Sequence, residues 1–473
     1  MQLVTANQRS FPMHNLPQQT VIFPELFSKP IFVSFSKEHL SSNGGSLLLK
    51  AADRSMGLTQ AIAETFVDER QPEKIRHEIL DLTRQRIFSL ASGYPDCNDA
   101  DHLKQDPILK ILCDRNPITG DDLGSQPTLS RLENSITRGQ LLNLSSRMAD
   151  VILRRQAKRR KGQKRPQRIT IDLDPTCDPT YGDQQLTLFN GYYDTWCYLP
   201  LVLTVSFNGE RRKYPIAVVL RPGTIKRKQA KGTLSVLRRV IPTIRRFFPS
   251  ARLCFRADAE FAKPWLLDYL EKEKITYAIS IASNSVLKEL SYDRMKQARN
   301  ISCILDESVT LHGEGIYQAG SWPHPRRLAY KAEVLVKDGD RRDNARYVVT
   351  NLPGNYGPQG IFTFYYGHSV MENTIKDLKN DLALDRTSCC SFAANQLRLI
   401  WSLAAFTLMH SLQEHIDDRE LAKATMHTLR ERLLKIAVLV RESTRRIVCS
   451  FTAHHPWSAI WLRCALSLGA ASG

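Results

Sequence analysis

No two cysteines are spaced CxxC and no Cys/His group has zinc-finger spacing, although the chain carries ten cysteines. A structural zinc site is therefore not expected. The amino terminus shows no basic stretch leading into an apolar run and a small-residue cleavage site, so reduced thiols and a cytoplasmic location are the expectation. Long apolar runs are also lacking. The longest, Leu397 to Leu412, is interrupted by Arg398 and His410 and reads as a buried core helix, not a membrane span. Gly223 and Gly232 flank a loop without forming a nucleotide-binding fingerprint, and no P-loop occurs, which argues against nucleotide hydrolysis. Acids are short by comparison with bases: 48 Asp and Glu face 66 Lys and Arg, a formal charge of +18. That imbalance points to a polyanionic partner, DNA or RNA first.

With 473 residues and 42% apolar content, the chain can bury a large core shared among several domains. Residues 1–45 are rich in Pro, Ser, Asn and Gln without periodicity and read as a loosely ordered arm. Residues 46–153 carry apolar positions at helical spacing, among them Ile75, Ile79, Leu82 and Ile87, and read as an all-helical domain. The stretch 154–168, RRQAKRRKGQKRPQR, has nine cations and no acid and reads as a flexible basic linker suited to phosphate contact.

Then comes RITIDLDPT, whose alternation predicts a strand with Thr170, Asp172 and Asp174 on one face. Further strands are predicted at 198–207, 214–220, 252–255 and 276–282, with a helix at TLSVLRRVIPTIRRFF interrupted at Pro242. This is a mixed α/β layer over 169–283 and 361–412. Pieces such as ISCILD, RLAYKAEVLV and ARYVVTNL predict an inserted β-subdomain over 284–360, since a structureless loop of that length is improbable. Residues 413–473 are expected to be helical.

The segment YYGHSVMENTIKDLK, Tyr365 to Lys379, starts an amphipathic helix: Met371, Ile375, Leu378 and Leu382 form a stripe, with Glu372, Lys376 and Lys379 beside it. Alone, Glu372 and Lys376 read as a surface ion pair. Alone, Asp174 or Asp258 at a strand end reads as a cap or turn former. Together, Asp174, Asp258 and Glu372 form a set of hard oxygen donors of the kind that holds two divalent cations for phosphoryl transfer. Asp172 is the alternative first acid.

The order strand Asp, strand Asp, helix Glu, with an insertion before the Glu, resembles the DDE transposases of bacterial insertion sequences. IDLDPT and YGDQQLTLFNGYYDTWCYLPL resemble the block around the first Asp, and LRPG with FRADAEF the block around the second. GYPDCNDADHLKQDP and PTLSRLEN resemble the amino-terminal domain, so the resemblance runs from about 65 to 410. Near the Glu the family signature is Tyr, Arg, Glu and Lys; here those places hold Tyr365, His368, Glu372 and Lys379.

The resemblance implies a ribonuclease-H-like catalytic core and a helical DNA-binding domain before it. It also implies two magnesium ions, replaceable by manganese, on Asp174, Asp258 and Glu372. Terminal inverted repeats and target DNA would be the partners, and a dimer or larger assembly would hold two ends together beside the bacterial nucleoid. Tyr365, His368, Lys376 and Lys379 would then meet DNA. Lys226, Arg227 and Lys228 are candidate backbone contacts, with a solvated loop as the alternative. Trp322 is a candidate for stacking on a displaced base, with ordinary packing as the alternative. The expected activity is cleavage at element ends and strand transfer. A DNA-binding descendant without cleavage, or a nuclease without strand transfer, are the alternatives.

Overall fold

The computed structural model describes residues 21–23, 28–33, 38–162, 166–224 and 232–471. Most of the amino-terminal arm lies outside these, as do Lys226, Arg227 and Lys228.

Strand β1 (Arg168–Pro175) buries Ile169, Ile171 and Leu173 completely, as its alternation requires. It pairs antiparallel with β2 (Leu201–Phe207), which pairs antiparallel with β3 (Tyr214–Val219). After the helix that follows β3, strand β4 (Arg252–Ala257) returns on the other side of β1 and runs parallel to it. The same step through another helix lays β5 (Thr276–Ile281) parallel to β4. Parallel neighbours need such crossovers, and here they are α2 (Gly232–Phe247) and α3 (Pro264–Lys272), numbered after α1 (Arg138–Arg159).

The chain then forms a helix, α4 (Tyr292–Leu305), and the strands β6 (Val309–Tyr317), β7 (Arg326–Lys337), β8 (Asp340–Asp343) and β9 (Arg346–Thr350). Strand β9 pairs with both β7 and β5, so one sheet of nine strands runs β6-β7-β9-β5-β4-β1-β2-β3, with β8 on the side of β7. The strands of 284–360, expected as an inserted β-subdomain, extend the main sheet. ISCILD is also mostly helix, the end of α4.

Three more sequence expectations change. The stretch from Arg154 to Arg159 is the end of α1, and its arginines are paired. Arg155 and Arg159 both reach Glu414 at 2.8 Å, Arg160 reaches Glu210 at 2.8 Å, and Arg154 pairs with Asp150. Helix α2 continues through Pro242 because its apolar stripe, Leu234, Leu237, Val240, Ile241 and Ile244, is buried along its whole length. Arg238, whose carbonyl loses its partner to the proline ring, is on the exposed side. The carboxy-terminal region is not all helical: Val438–Glu442 and Ile447–Phe451 form a sheet with Leu40–Ser41.

Helices α5 (Pro358–Tyr366) and α6 (Val370–Lys376) follow β9, and α7 (Phe392–Gln413) is buried along nearly its full length. Helix α7 packs between β3 and the helices Leu47–Met56 and Ile79–Ala91. Glu133, 1% exposed, sits between Arg86 and Arg398 at 2.8 Å from each, which ties the amino-terminal helices to α7. The largest apolar core runs from Leu48 through the sheet to Cys464, with smaller clusters around α5 and along β6, β7 and β9.

Candidate active site

Strands β1 and β4 lie side by side, and in their register Asp172 is opposite Arg256. Two residues on, the same strands end in Asp174 and Asp258. Helix α6 carries Glu372 in its first turn, anchored by Met371 and Ile375, which are 0% and 7% exposed.

Asp172 is fully buried. Its Oδ1 accepts from Arg256 Nε at 2.7 Å and faces His368 Nδ1 at 3.2 Å, while Oδ2 accepts from Lys213 Nζ at 2.6 Å and Arg256 Nη2 at 3.0 Å. Burial by itself would push this carboxyl up, but His368, Arg256 and Lys213 outweigh it and hold it well below the usual range. Both oxygens are taken by cations of the protein, so Asp172, the alternative first acid, has no oxygen left free for a metal ion.

Asp174 is in the opposite state. Among the described residues its carboxylate has no ion pair or hydrogen bond to another side chain. Burial pushes it up to about 7, with Asp258, Glu372 and Asp172 adding repulsion against the relief from His368. Asp258 is raised too, by burial and then by Glu260, although its side chain caps the turn by accepting from Glu260 N at 3.0 Å. Glu372 is exposed and makes no ion pair with Lys376, so the surface-pair reading of that helix does not apply. Asp258 and Glu372 are thus close enough to Asp174 to repel its charge, and no Lys or Arg of the described residues pairs with Asp174 or Glu372.

Tyr365, at the end of α5, is half-buried beside them. Burial raises its phenol, Ser280 opposes this, and Asp258 and Asp174 raise it further. Lys379 donates to the carbonyl of Cys177 at 2.7 Å and lies 3.6 Å from Asp385. Lys376 is exposed.

Two expected DNA contacts are turned inward. His368 is 9% exposed and faces Asp172, so it is not presented to a phosphate. Trp322 is 5% exposed, edge-on to Tyr317 and beneath the Arg326 guanidinium, which is 5.3 Å from its ring. That is packing, and it leaves no face for a base.

Lys213, Arg256 and Arg221 escaped the sequence reading. Arg221, buried, binds Glu260 at 2.6 Å beside Asp258. The signal was there for Arg256, an arginine inside the apolar strand RLCFRA, because a cation in a buried strand needs an anion.

Among the described residues, Asp268, Glu271 and His324 bring ligand atoms within 4.8 Å of one another, tighter than the triad. A cation already occupies that place: Arg326 reaches Asp268 at 2.5 Å and Glu271 at 2.7 and 3.0 Å. A metal there would have to displace a guanidinium whose side chain is 3% exposed.

An α/β sheet with acids at the ends of adjacent parallel strands, in a chain of charge +18, fits an enzyme of the nuclease and transferase class. The chain belongs to the family described as transposase DDE domain group 1, which matches residues 23–472. It is thus a DDE-domain transposase, whose family implies DNA binding and use of divalent metal ions. No curated protein matches the chain. No helix among the described residues is long and apolar enough to cross a membrane.

Proposed function

We propose that this transposase cuts DNA at the ends of its element and joins those ends to a target, with Asp174, Asp258 and Glu372 as the carboxylates of the site. The observation that carries this reading is the convergence of three acids with no Lys or Arg paired to Asp174 or Glu372, where burial, against the relief from His368, and repulsion from Asp258, Glu372 and Asp172 push Asp174 up to about 7. Such a set stores unfavourable charge that a hard divalent cation relieves. The residues therefore fit two magnesium ions, or manganese in their place. Bound there, the ions would supply charge neutralisation and polarisation of phosphate oxygens.

The chain's own groups have separate tasks. The Asp172 network holds β1, β4 and the start of α6 in place, and Tyr365, Lys376 and Lys379 offer a hydroxyl and two ammonium groups to DNA backbone near the acids. The sheet order β3-β2-β1-β4-β5, with β2 antiparallel and β4 and β5 parallel to β1, supports a ribonuclease-H-like core. His368 supports retained catalysis, because it serves Asp172 in place of a phosphate contact. The enzyme would act in the cytoplasm on nucleoid DNA, as a dimer or larger assembly when two ends are held together.

The test is incubation of the purified full chain with magnesium and a supercoiled donor plasmid carrying the element's own ends. Excised element and products joined to a target plasmid are expected. Nicked donor without joining would leave a nuclease, and binding without nicking would leave a DNA-binding protein.

A further inference from the structure

Beyond Asp174 the chain does not leave the site. Asp178–Pro179 pairs with Thr195–Tyr198, and Thr195–Tyr198 pairs with Leu188–Asn190, so a small antiparallel hairpin continues from the acid-bearing end of β1. The end of this hairpin nearest the body is anchored on both faces: Cys197 and Tyr198 are fully buried, and the Tyr198 hydroxyl donates to the Gln185 carbonyl at 2.5 Å. Its outer part carries large aromatics in water. Phe189 and Trp196 stand directly opposite each other in register, rings 6.2 Å apart and edge-on, 48% and 55% exposed. Tyr192, at the turn, is 87% exposed, and Tyr193 packs edge-on against it at 4.9 Å.

This exposure is not slack structure. Asn190 accepts from the backbone N–H of Tyr192 at 2.9 Å and of Tyr193 at 3.3 Å, and donates to the Gly223 carbonyl at 2.7 Å. Thr224 donates to the Phe189 carbonyl at 3.0 Å. Gly223 allows this approach, since a Cβ there would lie 2.2 Å from the Cys197 carbonyl oxygen. A rigid frame that holds several aromatics out of the core marks a contact surface.

Charge selects the occupant. Residues 181–198 contain Asp183 and Asp194 and no Lys or Arg, so this face is unsuited to phosphates. A cation stands at its root: Lys379 donates to the carbonyl of Cys177, one residue before the hairpin's first pairing. Backbone would thus be held at Lys379, and the aromatic face beyond it suits the uncharged π-faces of bases released from stacking. Asp174 and Asp258 are close enough to raise the Tyr193 phenol, after burial, Cys177 and Tyr192.

We propose that the exposed Phe189, Tyr192 and Trp196 face of this hairpin stacks on unpaired bases next to the DNA backbone held at Asp174, Asp258 and Glu372. The inference rests on the proposed DNA-cutting site but is tested without cutting. The full chain, free of metal, is titrated with a blunt duplex and with the same duplex bearing an unpaired tail that contains a fluorescent purine analogue. Binding of the tailed DNA should quench the analogue. Trp196→Ala should weaken tailed DNA about tenfold more than blunt duplex, as loss of one stacked base does, and Trp196→Phe should restore most of the difference. An unquenched tail, or equal affinities in native and Trp196→Ala protein, would overturn the inference while leaving the cutting site intact. Failure of the native chain to bind either DNA would overturn both. A self-association that Trp196→Ala abolishes, with no effect on tailed DNA, would assign the face to a second copy of the chain instead.

Discussion

Asp172 and Arg256 form a two-pronged ion pair across neighbouring parallel strands, with Nε 2.7 Å from Oδ1 and Nη2 3.0 Å from Oδ2, and neither group meets water to any extent. Each stands two residues before a proposed metal-binding acid, Asp174 or Asp258. Arg256 also donates to the Phe364 carbonyl of α5 at 2.6 Å, and His368 reaches Asp172 from the turn before Glu372. One buried carboxylate on the strand of Asp174 thus has one partner on the strand that leads to Asp258 and another on the turn before the helix of Glu372.

Removing that carboxylate should be costly. Asp172→Ala leaves Lys213 and Arg256, both buried, without an anion, and breaking such a pair costs about 3–5 kcal/mol. Denaturant unfolding of the variant should show a loss of that order, if it folds at all. A midpoint equal to the native one would mean that the network does not hold the strands.

His368 should matter more to rate than to stability. It is one of several partners of Asp172, but it is the one on the turn that leads into Glu372. His368→Ala is expected to slow end cleavage about 10- to 100-fold, as loss of a group that orients a ligand-bearing element does, while duplex binding stays close to native. Weakened duplex binding together with a normal cleavage rate at saturation would instead assign His368 to DNA contact.

Asp178 offers a pH signature apart from the acids of the site. It is fully buried, its Oδ2 meets Thr387 Oγ1 at 2.8 Å and its Oδ1 has no partner. Burial, then Asp385, pushes it up to about 8 from 3.8, against opposition from Thr387 and Lys379. Between those values the folded chain holds a proton that the unfolded chain has lost, so this group's contribution to stability falls as pH rises. Asp178→Asn removes the titration. From pH 5 to pH 8 the native protein should lose stability relative to the variant, by at most about 1.4 kcal/mol per pH unit. Parallel stability curves for the two proteins would contradict a protonated Asp178.

Much of this architecture was legible in the sequence, because β1 to β5 are short β-branched runs with clear turns and because the stripe Met371, Ile375, Leu378 and Leu382 has helical spacing; all four are buried. What was not legible depended on long-range partners. Arg155 and Arg159 looked like free linker cations because Glu414, their counter-ion, is more than 250 residues away. That strands β6 to β9 of the inserted β-subdomain continue the main sheet was not visible, because pairing of β9 with β5 leaves no local mark. Asp174 was preferred to Asp172 on resemblance alone, since the alternation of β1 puts both on one face; Lys213, from the residue before β3, and Arg256, from β4, are what neutralise Asp172 and leave Asp174 free. Trp322 is buried by Arg326 across a turn whose geometry the sequence does not encode locally.

Whether Asp174, Asp258 and Glu372 act as one site is decided best at Glu372, which is exposed and, among the described residues, makes no ion pair. The measurement is the magnesium-dependent end-cleavage rate of Glu372→Gln beside its affinity for the uncut end. Native affinity, an unchanged melting temperature and a rate at least about a thousandfold lower are expected, the scale lost when a principal electrostatic group is removed from an active site. Cleavage by Glu372→Gln at the native rate would show that the three acids do not act as one site.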